Sequence, residues 1–123
     1  MKSKKSVLVV DDSRVSRMMT RQFILNKYPD WNIVEAGTGE EAIEKLDGLA
    51  PVAVFMDVNM PGMGGIAATE KICAQYPSLK IVLQSANIQD AIRNKATAMG
   101  ASFIEKPINE ARIHKFLDEL GVG

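Results

Sequence analysis

The chain has 123 residues, the size of one domain with its own core. Its 15 basic and 15 acidic side chains cancel, which excludes the basic excess expected of a nucleic-acid-binding domain. No stretch reaches the ~20 apolar residues of a membrane span, and one cysteine, Cys73, cannot form an internal disulfide.

Residues 1–5 are basic and read as a solvated tail. VLVV then runs straight into Asp11 and Asp12, too short for a signal-peptide core. Val7–Val10 is the first candidate strand. Ser13–Lys27 has helical spacing and sets Val15, Met18, Met19, Phe23 and Ile24 on one stripe, expected to face the core. Trp31–Glu35 is mixed, as an edge strand would be, with Trp31 packed at that edge. It ends in the turn AGTG. Gly39–Leu46 groups Ala42, Ile43 and Leu46, and Thr38 with Glu41 fits a capping box.

Val52–Met56 is a run of apolar residues closed by Asp57, which reads as a strand covered on both faces. The loop NMPGMGG follows. Gly64–Tyr76 aligns Ile66, Thr69, Ile72, Cys73 and Tyr76, and Cys73 is expected in the core. Lys80–Gln84 is a fourth strand, followed by Ser85. Ile88–Met99 repeats Ile88, Ala91, Ile92, Ala96 and Met99. Ser102–Ile104 is a fifth apolar run that reads, like Val7–Val10 and Lys80–Gln84, as a strand covered on both faces, and after it come Lys106 and Pro107. Asn109–Leu120 carries Ile113, Phe116, Leu117 and Leu120 and stops at Gly121, a favourable C-cap residue. His114, the single histidine, is expected to be partly exposed on this helix.

Strict alternation of strand and helix implies one α/β domain over residues 1–123, with a parallel sheet and helices on both faces. Ligands of such a sheet bind beyond the C-terminal ends of the strands. Asp11 and Asp12 follow the first strand, Asp57 the third, Ser85 the fourth and Lys106 the fifth. Taken singly, each has a structural role open to it: Asp11, Asp12 or Ser85 as helix caps, Asp57 as a brace for the Asn59–Pro61 turn, Lys106 as a solvated lysine. Together they crowd three carboxylates at one edge, against a single lysine. A hard divalent cation with oxygen ligands, Mg2+, is the natural counter-charge. Carboxylates, a lysine and a hydroxyl around such an ion describe phosphoryl transfer, with Asp57 as the nucleophile. The glycines at 62–65 lack the GK[ST] ending of a phosphate-cradling P-loop.

The segments VLVVDDS (7–13), EAGTGEEAI (35–43), FMDVNMPGMGG (55–65), VLQSA (82–86) and GASFIEKP (100–107) resemble, in order and spacing, a response-regulator receiver domain of two-component signalling. The resemblance implies a CheY-like, flavodoxin-like fold: five parallel strands in the order 2-1-3-4-5, doubly wound with five helices. Asp57 would be the phosphoacceptor, charged from a histidine kinase's phosphohistidine. Asp12, Asp57 and the backbone carbonyl of Asn59 would hold Mg2+, with Asp11 acting through water. Lys106 would pair with the phosphate, and its bond to Pro107 would be cis. Ser85 would close on the phosphoryl group, Phe103 would be the aromatic switch, and Asn59 and Asn87 would tune the lifetime of the acyl phosphate. Departures from the pattern are Ser85 for the commoner Thr, Phe103 for the frequent Tyr, and Gln84 as a polar end to a normally apolar strand.

The resemblance implies a cytoplasmic, stand-alone response regulator that catalyses only its own phosphorylation and dephosphorylation. It would have no nucleic-acid or membrane partner and would be a monomer, with a phosphorylation-dependent dimer as the alternative. Its output would be a target protein bound through the fourth helix, fifth strand and fifth helix, in chemotaxis-type signalling. One alternative is a phosphorelay intermediate that passes its phosphate to a histidine phosphotransfer protein. Another is a Mg2+-dependent phosphohydrolase of the haloacid-dehalogenase type. That family wants a second Asp two residues after the nucleophile, and Asn59 stands there. A third is a degenerate scaffold, but no acid, acceptor or lysine is missing.

Overall fold

A computed structural model describes residues 5–86 and 90–120. The elements alternate throughout: β1 (Ser6–Val10), α1 (Arg14–Lys27), β2 (Asn32–Ala36), α2 (Gly39–Leu46), β3 (Ala53–Asp57), α3 (Gly64–Gln75), β4 (Ile81–Ser85), α4 (Asp90–Ala98), β5 (Ser102–Glu105) and α5 (Glu110–Leu120). All strand pairs are parallel and the sheet order is β2-β1-β3-β4-β5. The expected start of the fourth helix at Ile88, Asn87 and the stop at Gly121 lie outside the described residues. No helix of the described residues is long and apolar enough to cross a membrane.

Period-two alternation divides the core into two layers. Leu8, Val10, Val54, Met56 and Leu83 face one way and pack with Ala42, Leu46, Ala68, Ile72 and Ala96 of α2, α3 and α4. Val7, Val9, Phe55, Val82 and Ile104 face the other way and pack with Ile24 of α1 and Ile113, Phe116 and Leu117 of α5. The rings of Phe55 and Phe116 meet edge-on at 5.3 Å. Cys73 is half-buried against the first layer, and burial pushes its thiol above the usual value.

Side-chain caps set several helix starts. Ser13 Oγ accepts from Ser16 N at 3.2 Å, Thr38 Oγ1 from Glu41 N at 3.0 Å, and Asn109 Oδ1 from Arg112 N at 2.9 Å. Glu41 reaches back to the N–H of Gly37 at 2.6 Å, one residue before the cap, so the box expected at Thr38 forms with a shifted partner.

Three expectations are corrected. The stripe of α1 does not face the core as a whole: Val15, Met18 and Met19 are 66%, 56% and 49% exposed. The inward face is rotated to Thr20 and Ile24, with Phe23 packed against the second layer. α1 lies against both β1 and α5, and Thr20 takes a buried position that a count of apolar residues passes over. Tyr76 likewise caps the C-terminus of α3 at the surface, 36% exposed, instead of continuing the helix's buried stripe. The fifth strand is not covered on both faces. β5 is the outer strand, with Ser102 exposed and Phe103 half-buried. Trp31 precedes β2 and stacks on Tyr28, with ring centroids 4.0 Å apart.

Candidate functional site

The register of the sheet assembles the site. Val10 pairs with Met56 and Asp57 pairs with Gln84, so the ends of β1, β3 and β4 lie level. Asp11 follows β1 and is 2% exposed; Asp57 ends β3 and is 3% exposed; Asp12 is exposed. One carboxylate oxygen from each of the three lies within 4.8 Å of the others. The two buried acids are held by the most buried strands of the sheet, and the exposed one leaves the cluster open on one side.

Lys106 reaches in from the end of β5. Its Nζ is 3.0 Å from Asp57 Oδ1 and 3.5 Å from Asp11 Oδ2. Its own backbone N–H donates to the carbonyl of Ser85 at 2.9 Å, which ties the lysine to β4. The Lys106–Pro107 peptide bond is cis. Ser85 is fully buried at the end of β4. Gln84 is buried beside Asp57 in the register, and its amide nitrogen is without a hydrogen-bond partner among the described residues.

Electrostatics follow from this packing. Burial pushes the Asp57 carboxyl above the usual carboxylate range; the hydrogen bond from Lys106 opposes it, and the charges of Asp11 and Asp12 add to it. Burial alone would pull the Lys106 ammonium down. The hydrogen bond and charge of Asp57, with the charge of Asp11, outweigh it and hold the group above the usual lysine value. Three carboxylates still outnumber that one lysine.

That donor set is oxygen-only, crowded and partly open to solvent, which fits a hard divalent cation such as Mg2+. Asn59 is exposed in the loop that follows β3. Within that loop Gly62 and Gly64 have φ of 79° and 77°, a left-handed backbone that glycine adopts without strain. Gly65 then seats α3 against the acid strand: its N–H donates to Val58 O at 3.1 Å. Phe103 lies on β5, with the guanidinium of Arg93 5.8 Å from its ring centroid. His114, half-buried on α5, has Nε2 2.8 Å from the carbonyl oxygen of Phe23.

Two residues at the site escaped the sequence reading, which gave the second strand only its turn. Arg17 Nη1 donates to the main-chain oxygen of Asp11 at 2.5 Å, and Arg17 Nε donates to Glu35 Oε1 at 3.0 Å. Glu35 also takes Arg21 at 3.7 Å. Neither residue had a signal of its own, because an arginine one helical turn after a strand and a glutamate in an edge strand are ordinary surface residues.

Comparison with known proteins gives the family. The family described as response regulator receiver domain matches residues 7–118. The chemotaxis protein CheY of Thermotoga maritima is 39% identical over 117 residues, covering 94% of this chain and 97% of that one. Among solved structures, chemotaxis protein CheY4 of Vibrio cholerae superposes with a TM-score of 0.87 at 26% identity, covering 96% of this chain and 99% of that one. The response regulator TrrA of Thermotoga maritima, solved in complex with Mg(2+)-BeF, gives a TM-score of 0.83 at 25% identity, covering 94% and 98%.

Proposed function

Because the chain belongs to the response regulator receiver family, we propose that it is a stand-alone, phosphorylation-switched regulator with Asp57 as its phosphoacceptor. The observation that carries this reading is the Lys106 ammonium 3.0 Å from Asp57 Oδ1, beside two further carboxylates. An Asp57 oxygen attacks the phosphorus of a kinase's phosphohistidine. The P–N bond breaks, imidazole leaves, and an acyl phosphate forms on Asp57. Lys106 faces the developing phosphoryl charge and orients the acceptor. Asp12, Asp57 and the Asn59 carbonyl would hold Mg2+, with Asp11 acting through water, and the ion when bound neutralises charge on the transferring oxygens.

The new group carries up to about two negative charges and three acceptor oxygens. Ser85, at the end of β4, would donate to one of them, and Phe103 would turn inward as α4 shifts. The face formed by α4, β5 and α5 would then bind a partner protein. A groove of about 310 Å3 on that face, lined by Phe103, Glu105, Arg112, Lys115 and Phe116 among others, supports this choice. The CheY relatives favour a chemotaxis-type pathway.

The test is incubation with Mg2+ and acetyl phosphate, or with beryllofluoride, against Asp57→Asn. With acetyl phosphate a stoichiometric, acid-stable and base-labile adduct is expected, and with beryllofluoride a stoichiometric reversible complex, both lost in the variant. Multiple turnover of a phosphomonoester, or an adduct that survives in Asp57→Asn, would sink the reading.

A further inference from the structure

Every polar atom of Asp11 has a partner. Its N–H donates to Ala36 O at 3.1 Å, its Oδ1 accepts from Ser13 N at 2.9 Å, its Oδ2 lies 3.5 Å from Lys106, and its main-chain oxygen accepts from Arg17. The last of these fixes the plane of the peptide that joins Asp11 to Asp12. Asp12 is exposed, so packing does not orient it; the peptide plane does. Arg17 is itself fixed, because the planar guanidinium presents its donors in a rigid fork and one of them is held by Glu35 at 3.0 Å. Glu35 is anchored in turn, since Lys45 of α2 donates to its main-chain oxygen and binds Glu41 at 3.1 Å. A chain of contacts thus runs from the edge strand and α2 to the acid pair.

We propose that Arg17, held by Glu35, is a positioning residue that sets the Asp11–Asp12 peptide in the geometry that receives a divalent cation. The inference rests on the receiver reading above and adds a residue to it. Charge and position pull in opposite directions here. A guanidinium close to the carboxylates repels a cation, so its loss by charge alone would tighten Mg2+ binding. Its loss as a brace would weaken binding, as the loss of partners that orient metal ligands does, by about tenfold.

The experiment measures Mg2+ affinity of the whole chain by calorimetry for wild type, Arg17→Met, Arg17→Lys and Glu35→Gln. Amide hydrogen exchange is followed in the same proteins without metal. Expected are about tenfold weaker Mg2+ binding in Arg17→Met, a smaller loss in Arg17→Lys although its charge is kept, and faster exchange at Asp11 and Ser13 with Ile24 unchanged. Glu35→Gln should follow in the same direction, and it keeps the test decisive if Arg17→Met does not fold. Equal or tighter Mg2+ binding in Arg17→Met, or unchanged exchange at Asp11 and Ser13, overturns the brace alone. Wild-type protein that binds no Mg2+ overturns the receiver reading, and the brace falls with it.

Discussion

A Cβ atom at Gly65 would lie 2.0 Å from the carbonyl oxygen of Asp57, inside any permitted contact. The first turn of α3 therefore sits directly on the backbone of Asp57, the proposed phosphoacceptor. Gly65→Ala must displace either the helix or the end of β3, and backbone cannot yield as a side chain does. The expected cost is roughly 3 kcal/mol or more, with loss of Mg2+ binding in whatever folds. Urea unfolding and a Mg2+ titration check both parts. Gly37, where the nearest heavy atom to the same construction is 3.6 Å away, is the contrasting site.

The charge state of Asp57 gives a pH dependence with a definite sign. Its carboxyl is held above the usual range, chiefly by burial. Below the unfolded value both states are protonated and nothing is lost. As pH rises toward the folded value the unfolded chain ionises first, so stability falls, and the full cost is present above it. Asp57→Asn removes this cost. Without metal, at neutral pH, the variant should melt higher than wild type. The gap should close toward pH 3. Thermal melts in chelator across that range decide it.

Mg2+ should reverse the comparison. A ligand that binds only the folded state at a hundred times its dissociation constant stabilises by about 2.7 kcal/mol. Wild type should gain that amount, and Asp57→Asn, lacking one of three clustered carboxylates, much less. Equal gains in the two proteins would place the ion elsewhere.

Lys106→Met should separate acceptor chemistry from metal binding. Lys106 is the cation beside Asp57 and Asp11. Its removal leaves the acids without that competitor, so Mg2+ should bind at least as tightly. The beryllofluoride adduct should nevertheless be lost or become much weaker, because the lysine no longer faces the fluorides that mimic phosphoryl oxygens. An intact adduct would remove Lys106 from the proposed role.

The rotated face of α1 predicts unequal responses to truncation. Met18→Ala should change stability by less than about 0.5 kcal/mol, since Met18 is mostly solvated. Ile24→Ala, fully buried in the layer between α1, α5 and the sheet, should cost about 2–5 kcal/mol. Denaturant midpoints of the two variants test the assignment of faces.

The sheet was legible because β1, β3 and β4 are covered on both sides, which forces continuous apolar runs and leaves the acids at their ends conspicuous. What was misread has physical reasons. β5 is flanked on one edge only, and its short run shows too little alternation to betray an outer strand. On α1, apolar residues outnumber buried positions, and Thr20 occupies one of those positions. The fork between Arg17 and Glu35 joins residues far apart in the chain, and it depends on how a guanidinium bridges two elements. Periodicity records which side of a helix is wet; it carries no record of which polar groups meet across it.

Lys106 is delivered by an outer strand with one buried residue, whereas Asp11 and Asp57 are delivered by inner strands that are buried almost throughout. Opening a small outer segment costs less free energy than opening the middle of a sheet. The anionic cup and the cationic arm therefore rest on segments of unequal local stability, and amide exchange should be faster along β5 than along β1 and β3.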